Sequence, residues 1–221
     1  MDPFWAFLTF IGSAFCHQLP ERSYALGDLQ MPLCARCIGI HVGFLLSSLI
    51  MWTGSRRFAS GMQDKRRILA LAAFSLAGFA MGVLSYAGLG FDDNTSRTVS
   101  GLLIGIPLPF IIVPVLNMIS FPGRNGRMSV STPLDLVLIV AAFAFGAAMI
   151  FLATGSEALL YAVSIVGIVG LLVFVFTMMM ILVAVLTDEK GLRLRTRLVL
   201  SGIFSAVLLA ILIAGHFALL P

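Results

Sequence analysis

Runs of apolar residues long enough to cross a bilayer recur along this chain, at roughly 33–53, 67–90, 98–120, 133–154, 158–186 and 197–220. About 20 consecutive apolar residues span the hydrocarbon core as a helix, and in lipid the backbone polar groups must be satisfied within the segment. The pattern predicts an all-α, polytopic integral membrane bundle of about six transmembrane helices. With 60% hydrophobic and 11% charged residues and a mean hydropathy of +1.07, the chain cannot present an ordinary water-soluble surface. Its 221 residues are read as a single membrane domain, 1–221, with no added soluble domain. A motif-bearing half covers 1–120 and a three-helix half 121–220.

The net charge of +4 and pI near 9.3 do not point to nucleic acid, because the cations sit in short loops between apolar spans, where they set topology. The connections near 54–66, 121–132 and 187–196 carry Arg56, Arg57, Lys65, Arg66 and Arg67, then Arg124 and Arg127, then Lys190, Arg193, Arg195 and Arg197. These alternate loops are expected in the cytoplasm, with the opposite set facing outward at a cell (inner) membrane. Residues 3–16 form a further apolar run that lacks a basic leader, carries Asp2, and has Phe15 at a poor cleavage position, so the segment is expected to be retained. It is short for a span, and is expected either as a short first helix or as an interfacial one. Pro107, Pro109 and Pro114 interrupt the span 98–120, which should therefore line the interior, where neighbours satisfy the freed carbonyls. Gly39/Gly43, Gly78/Gly82 and Gly101/Gly105 have the small-xxx-small spacing of closely packed helices.

All three cysteines and two of three histidines fall between Cys16 and His41, on the outward side of this topology. If a helix starts at Pro32, then Cys34, Cys37 and His41 share a face at i, i+3 and i+7. Cys16 or His17, from the preceding loop, would bring the set to four thiolate and imidazole donors, which suits zinc. The same Cys-x-x-Cys with a third cysteine also fits thiol-disulfide exchange, and cysteine alone packs well as a small hydrophobe. Arg22, Arg36 and Arg97 run against the positive-inside tendency and call for an anionic partner, either Asp92 and Asp93 or a phosphate or carboxylate ligand. The run from Asp92 to Arg97 also reads as a polar turn capping a helix. Asp135 near a helix start, the isolated Glu157 and His216, and Met178–Met180 read as bland helix-end or packing features.

The spacing Cys16-His17-Gln18-x-Pro20-x-Arg22-Ser23, followed by Gln30-x-Pro32-x-Cys34-x-Arg36-Cys37-x-Gly39-Ile40, closely resembles the signature of a bacterial and archaeal family of predicted membrane proteins of unknown function. The resemblance extends through Asn94-Thr95-x-Arg97 with Gly101 and Gly105, about half of the chain. That family often has tyrosine where this chain has His41, so the resemblance favours Cys16, His17, Cys34 and Cys37 as the metal set. It implies no activity.

Together these readings predict a Cys/His metal site, zinc or else iron, on the extracytoplasmic face. Arg22, Arg36, Asn94 and Arg97 would hold an anionic ligand, Asp92 or Asp93 would serve as general base, and the substrate would be lipid-linked or a small anion. The competing readings are a quinone-coupled thiol-disulfide oxidoreductase and a small-solute or ion transporter.

Overall fold

The computed structural model describes residues 2–53, 56, 59–60, 65–120, 130, 133–187 and 194–219. Arg57, Arg124, Arg127, Lys190 and Arg193 lie outside the described residues. A short helix α1 (Pro3–Gly12) is followed by a 3-10 turn (Pro20–Arg22) and a two-stranded antiparallel ribbon, β1 (Ala25–Leu26) and β2 (Leu29–Gln30). The helices α2 (Ala35–Trp52), α3 (Lys65–Tyr86), α4 (Asn94–Gly105), α5 (Pro107–Ser120), α6 (Pro133–Ala153), α7 (Glu157–Leu186) and α8 (Leu194–Leu219) complete the chain. With α4 and α5 counted as one broken span, six segments among the described residues are long and apolar enough to cross a membrane.

At the heart of the bundle is α2, because its small residues admit a helix on each side. A Cβ on Gly39 would stand 2.6 Å from the Thr98 carbonyl, while Cβ atoms on Gly101 and Gly105 would run into the carbonyls of Arg36 and Ile40. The glycine spacing is thus a backbone-to-backbone seam between α2 and α4, running in parallel. On the other side, Gly167 and Gly170 of α7 leave space for Ile38 and the His41 carbonyl. Gly78 does the same for the antiparallel α3 against the Ser100 carbonyl. Peripheral α3 and α8 keep most of their apolar side chains outward, as lipid-facing helices do. The proline-broken span is interior, with Pro107, Pro109, Phe110 and Pro114 buried.

The first segment does not cross the membrane. Its start meets the start of α7, where the Trp5 ring packs at a tilt on Tyr161, centroids 4.5 Å apart, and Asp2 accepts from the Tyr161 hydroxyl. Its end meets the start of α2 and the end of α8, since Gly12 lies on the Pro32 carbonyl and Phe10 on Phe217. Ten helical residues reach only about 15 Å, half a bilayer core. Helix α1 therefore lies across one end of the bundle, which also carries the ribbon, Tyr86, Asn94 and Glu157. Arg56, Lys65, Arg66, Arg67 and Arg195 lie at the opposite end.

Asp135 does more than complement a helix start: its carboxylate is 1% exposed and takes two bonds from Arg56, Nη2 at 2.5 Å and Nε at 2.7 Å.

Candidate metal centre

Two glutamines build the loop that carries Cys16 to the start of α2. Gln18 occupies the left-handed region at φ 54, which costs a non-glycine residue about 1–2 kcal/mol. Its side-chain Nε2 offsets that cost by donating to the carbonyls of Thr9 at 2.7 Å and Pro32 at 2.8 Å, tying α1 to the start of α2. Gln30 donates to the Gln18 carbonyl at 2.6 Å, and Trp5 donates to the Gln30 carbonyl at 3.1 Å. The chain is thereby turned so that Cys16 points inward beneath the first turn of α2.

The result is a cluster of three thiols. The Sγ atoms of Cys16, Cys34 and Cys37 all lie within 4.8 Å of one another. Tetrahedral zinc with Zn–S bonds of about 2.3 Å holds its sulfurs about 3.8 Å apart, so an ångström of contraction would close the three around an ion. The backbone N–H groups of Cys34 (3.1 Å) and Gln18 (3.4 Å) already donate to the Cys16 sulfur. Within the trio, the Cys16 thiol hydrogen-bonds to Cys34 and holds the Cys34 thiol far below its ordinary range. That same bond, with burial, pushes Cys16 up to about 11. A bound cation would replace the shared protons and favour thiolate on all three.

A cavity of about 290 Å³ opens beside the sulfurs. His17, Gln18 and Arg22 line it, with Phe15, Leu19 and Tyr86 at its apolar walls. His17 is exposed and borders this cavity outside the three-sulfur group. His41 lies one turn deeper than Cys37, 5% exposed, with its ring 5.8 Å from Phe174 and Nδ1 unpartnered among the described residues. It too lies outside the sulfur group.

The arginines divide into two roles. The Arg22 and Arg36 guanidiniums lie 5.1 and 5.4 Å from the centroid of the same ring, Tyr86, and Arg36 Nε also donates to Ser100 Oγ at 3.2 Å. The acid nearest to Arg22 is Glu21, at 4.0 Å and largely exposed. Arg97 instead donates to the Glu21 carbonyl and to Asn94 Oδ1, while Asn94 donates to the Ser23 carbonyl at 3.1 Å and accepts from the Tyr24 hydroxyl at its own carbonyl. Asn94 and Arg97 thus pin the ribbon loop to α4. Asp93 is the N-cap of α4: the Ser96 hydroxyl and N–H donate to its carboxylate and hold it below the usual carboxylate range. Asp92 accepts from Ser85 Oγ at 3.2 Å, and neither acid lines the thiol cavity.

Sequence reasoning did not find Tyr86, the ring that gathers the two arginines. Its signal was an aromatic at the end of the second span, where interfacial tyrosines are common.

An uncharacterized protein of Methanocaldococcus jannaschii is 28% identical over 116 residues, covering 51% of this chain and 72% of that protein. No solved structure matches the chain. The stretch that holds the three thiols, both ring-sharing arginines and the α2–α4 seam, residues 16–111, matches the family of predicted membrane proteins DUF2085.

Proposed function

We propose that this multi-pass membrane protein holds a metal ion, zinc or iron, on Cys16, Cys34 and Cys37 at the extracytoplasmic face of the cell membrane. An ion held there would have room for a fourth ligand on the side of the cavity, where Arg22 would receive an anionic group, with Arg36 against the same Tyr86 ring. The convergence of three sulfurs within 4.8 Å beside that cavity carries the reading. A site with four protein ligands is closed and structural, whereas three protein ligands and an open position are what catalytic zinc sites have. Zinc bound there supplies Lewis acidity toward an oxygen of the ligand or of water. The protein's own part is to hold the Cys16 sulfur by the N–H groups of Gln18 and Cys34, to converge the other two thiols on it, and to place Arg22 at the cavity where negative charge arrives. Orientation rests on Arg56, Lys65, Arg66, Arg67 and Arg195 at the end remote from the thiols, the cationic end that stays in the cytoplasm.

Elemental mass spectrometry of the detergent-purified chain, paired with a thiol count in denaturant, tests the reading. About one ion per chain is expected, lost in Cys16→Ser, Cys34→Ser and Cys37→Ser and retained in His17→Ala. Absence of metal together with a cysteine pair that dithiothreitol reduces would establish the competing thiol-disulfide chemistry instead.

A further inference from the structure

The cavity beside the thiols has the wrong rim for a ligand that arrives only from water. Its walls pair cationic Arg22 with Phe15, Leu19 and Tyr86, and each of these three presents exposed apolar surface. Tyr86 is 72% exposed and ends a line of outward side chains on α3: Leu76, Phe79 and Val83, each more than half exposed, precede it at helical spacing. Because α3 is peripheral, that line faces lipid and leads up the helix to the cavity mouth. At the mouth the character changes within one ring: two guanidiniums, 5.1 and 5.4 Å from the Tyr86 centroid, meet a hydrocarbon surface. Two like charges gathered on one ring, with the exposed Glu21 as the nearest acid to Arg22, leave excess positive charge at interfacial depth. Asp92 and Asp93 bond to Ser85 and Ser96 and form no ion pair with Arg22 or Arg36 among the described residues.

Resting on the anion-site reading above, we infer that the ligand is an amphiphile of phosphate-monoester character. Its head group reaches the Arg22 side of the thiol cavity, and its hydrocarbon tail stays in the bilayer along Leu76, Phe79 and Val83. Tyr86 is the positioning residue at the junction. The Arg22 guanidinium in the cavity recognises the anionic head, Arg36 on the same ring adds positive charge nearby, and the apolar rim removes tail surface from water without requiring the ligand to leave the membrane. Lateral entry also explains why Phe15 and Leu19 face the mouth instead of the core.

Native mass spectrometry of the full chain in phosphatidylcholine nanodiscs, titrated with phosphatidic acid or with glycerol 3-phosphate, tests this. At roughly ten times its dissociation constant, phosphatidic acid is expected on about 90% of chains, in preference to the phosphatidylcholine of the disc. Glycerol 3-phosphate at equal concentration should leave no adduct. Arg22→Gln should abolish the preference, and Tyr86→Leu, an exposed and apolar replacement, should reduce it in a protein that still folds. Arg66→Gln, at the opposite end, should leave it unchanged. Equal binding of glycerol 3-phosphate would overturn the amphiphile while leaving the anion site standing. A preference that follows Arg66 and ignores Arg22 would place the lipid elsewhere and overturn both.

Discussion

Replacing Gly101 with alanine should damage the protein far more than the same change at Gly82, although both glycines lie in small-xxx-small pairs. A Cβ at Gly101 would run into the Arg36 carbonyl and stand 2.9 Å from the Ile40 nitrogen. These are backbone atoms of a helix, so relief requires moving α4 away from α2. At Gly82 the nearest atoms are those of the Arg36 guanidinium at 3.6 Å, an ordinary contact with a flexible side chain. Overpacking a tight interface costs about 1–3 kcal/mol and more when the backbone cannot yield, whereas alanine favours a helix over glycine by about 1 kcal/mol. Taking about 4 kcal/mol for a backbone that cannot yield, less the helix gain of about 1 kcal/mol, and about 2–4 °C per kcal/mol for a chain of this size, Gly101→Ala should melt roughly 6–12 °C lower in detergent, with Gly82→Ala unchanged or slightly higher. Gly43→Ala, facing the movable Ile106 side chain at 3.0 Å, should fall between. Because Gly101 meets the residue between Ala35 and Cys37, its variant should also lose bound metal in parallel with stability. Equal melting of Gly101→Ala and Gly82→Ala would refute the seam as the element that positions the thiols.

Breaking the buried Arg56–Asp135 pair with Asp135→Asn should cost about 3–5 kcal/mol, read as lower folded yield and melting temperature, while a double replacement by apolar residues should recover much of it. Trp5→Ala removes a ring that is 2% exposed and bonded to Gln30, and should cost about 3–5 kcal/mol and speed proteolysis of the ribbon loop. Gln18→Ala leaves the Thr9 and Pro32 carbonyls without their donor and should lower metal affinity, measured by competition with a chelator, by about 10–100-fold, the range for lost supporting interactions around a metal. Acidification should release the ion from the wild-type chain, because binding requires the thiolate form.

Much of the fold was legible in sequence because a bilayer imposes length: each span expected from hydropathy is found with its ends within a few residues, and the α4–α5 break sits at the prolines. The glycine pairs at 39/43 and 101/105 were readable as packing signals, although which helices they join was not, since spacing names no partner. The orientation of α1 was illegible. A ten-residue apolar helix satisfies the hydropathy rule for a short span and for an interfacial segment equally, and the contacts that decide it, Trp5 to Gln30 and Phe10 to Phe217, are remote in sequence. At the site, composition drew attention to the cysteines, and the structure gathers all three. It turns His17 toward solvent because the left-handed Gln18 and its two side-chain bonds fix the loop, a geometry no residue count conveys. Asn94 and Arg97 look like ligand groups in a motif, yet their partners are the carbonyls and side chains of the ribbon loop and of each other. Asp135 finds Arg56 across 79 residues, beyond the reach of any local pattern.

X-ray absorption at the metal edge, on the purified full-length chain, tests the open three-thiolate centre most directly. Three sulfur neighbours are expected, at about 2.3 Å for zinc, with one lighter atom at about 2.0 Å and no imidazole outer shell. An imidazole signature that disappears in His17→Ala would show a closed four-ligand site and contradict the open position; absence of a metal edge with the thiols oxidised would contradict the centre itself.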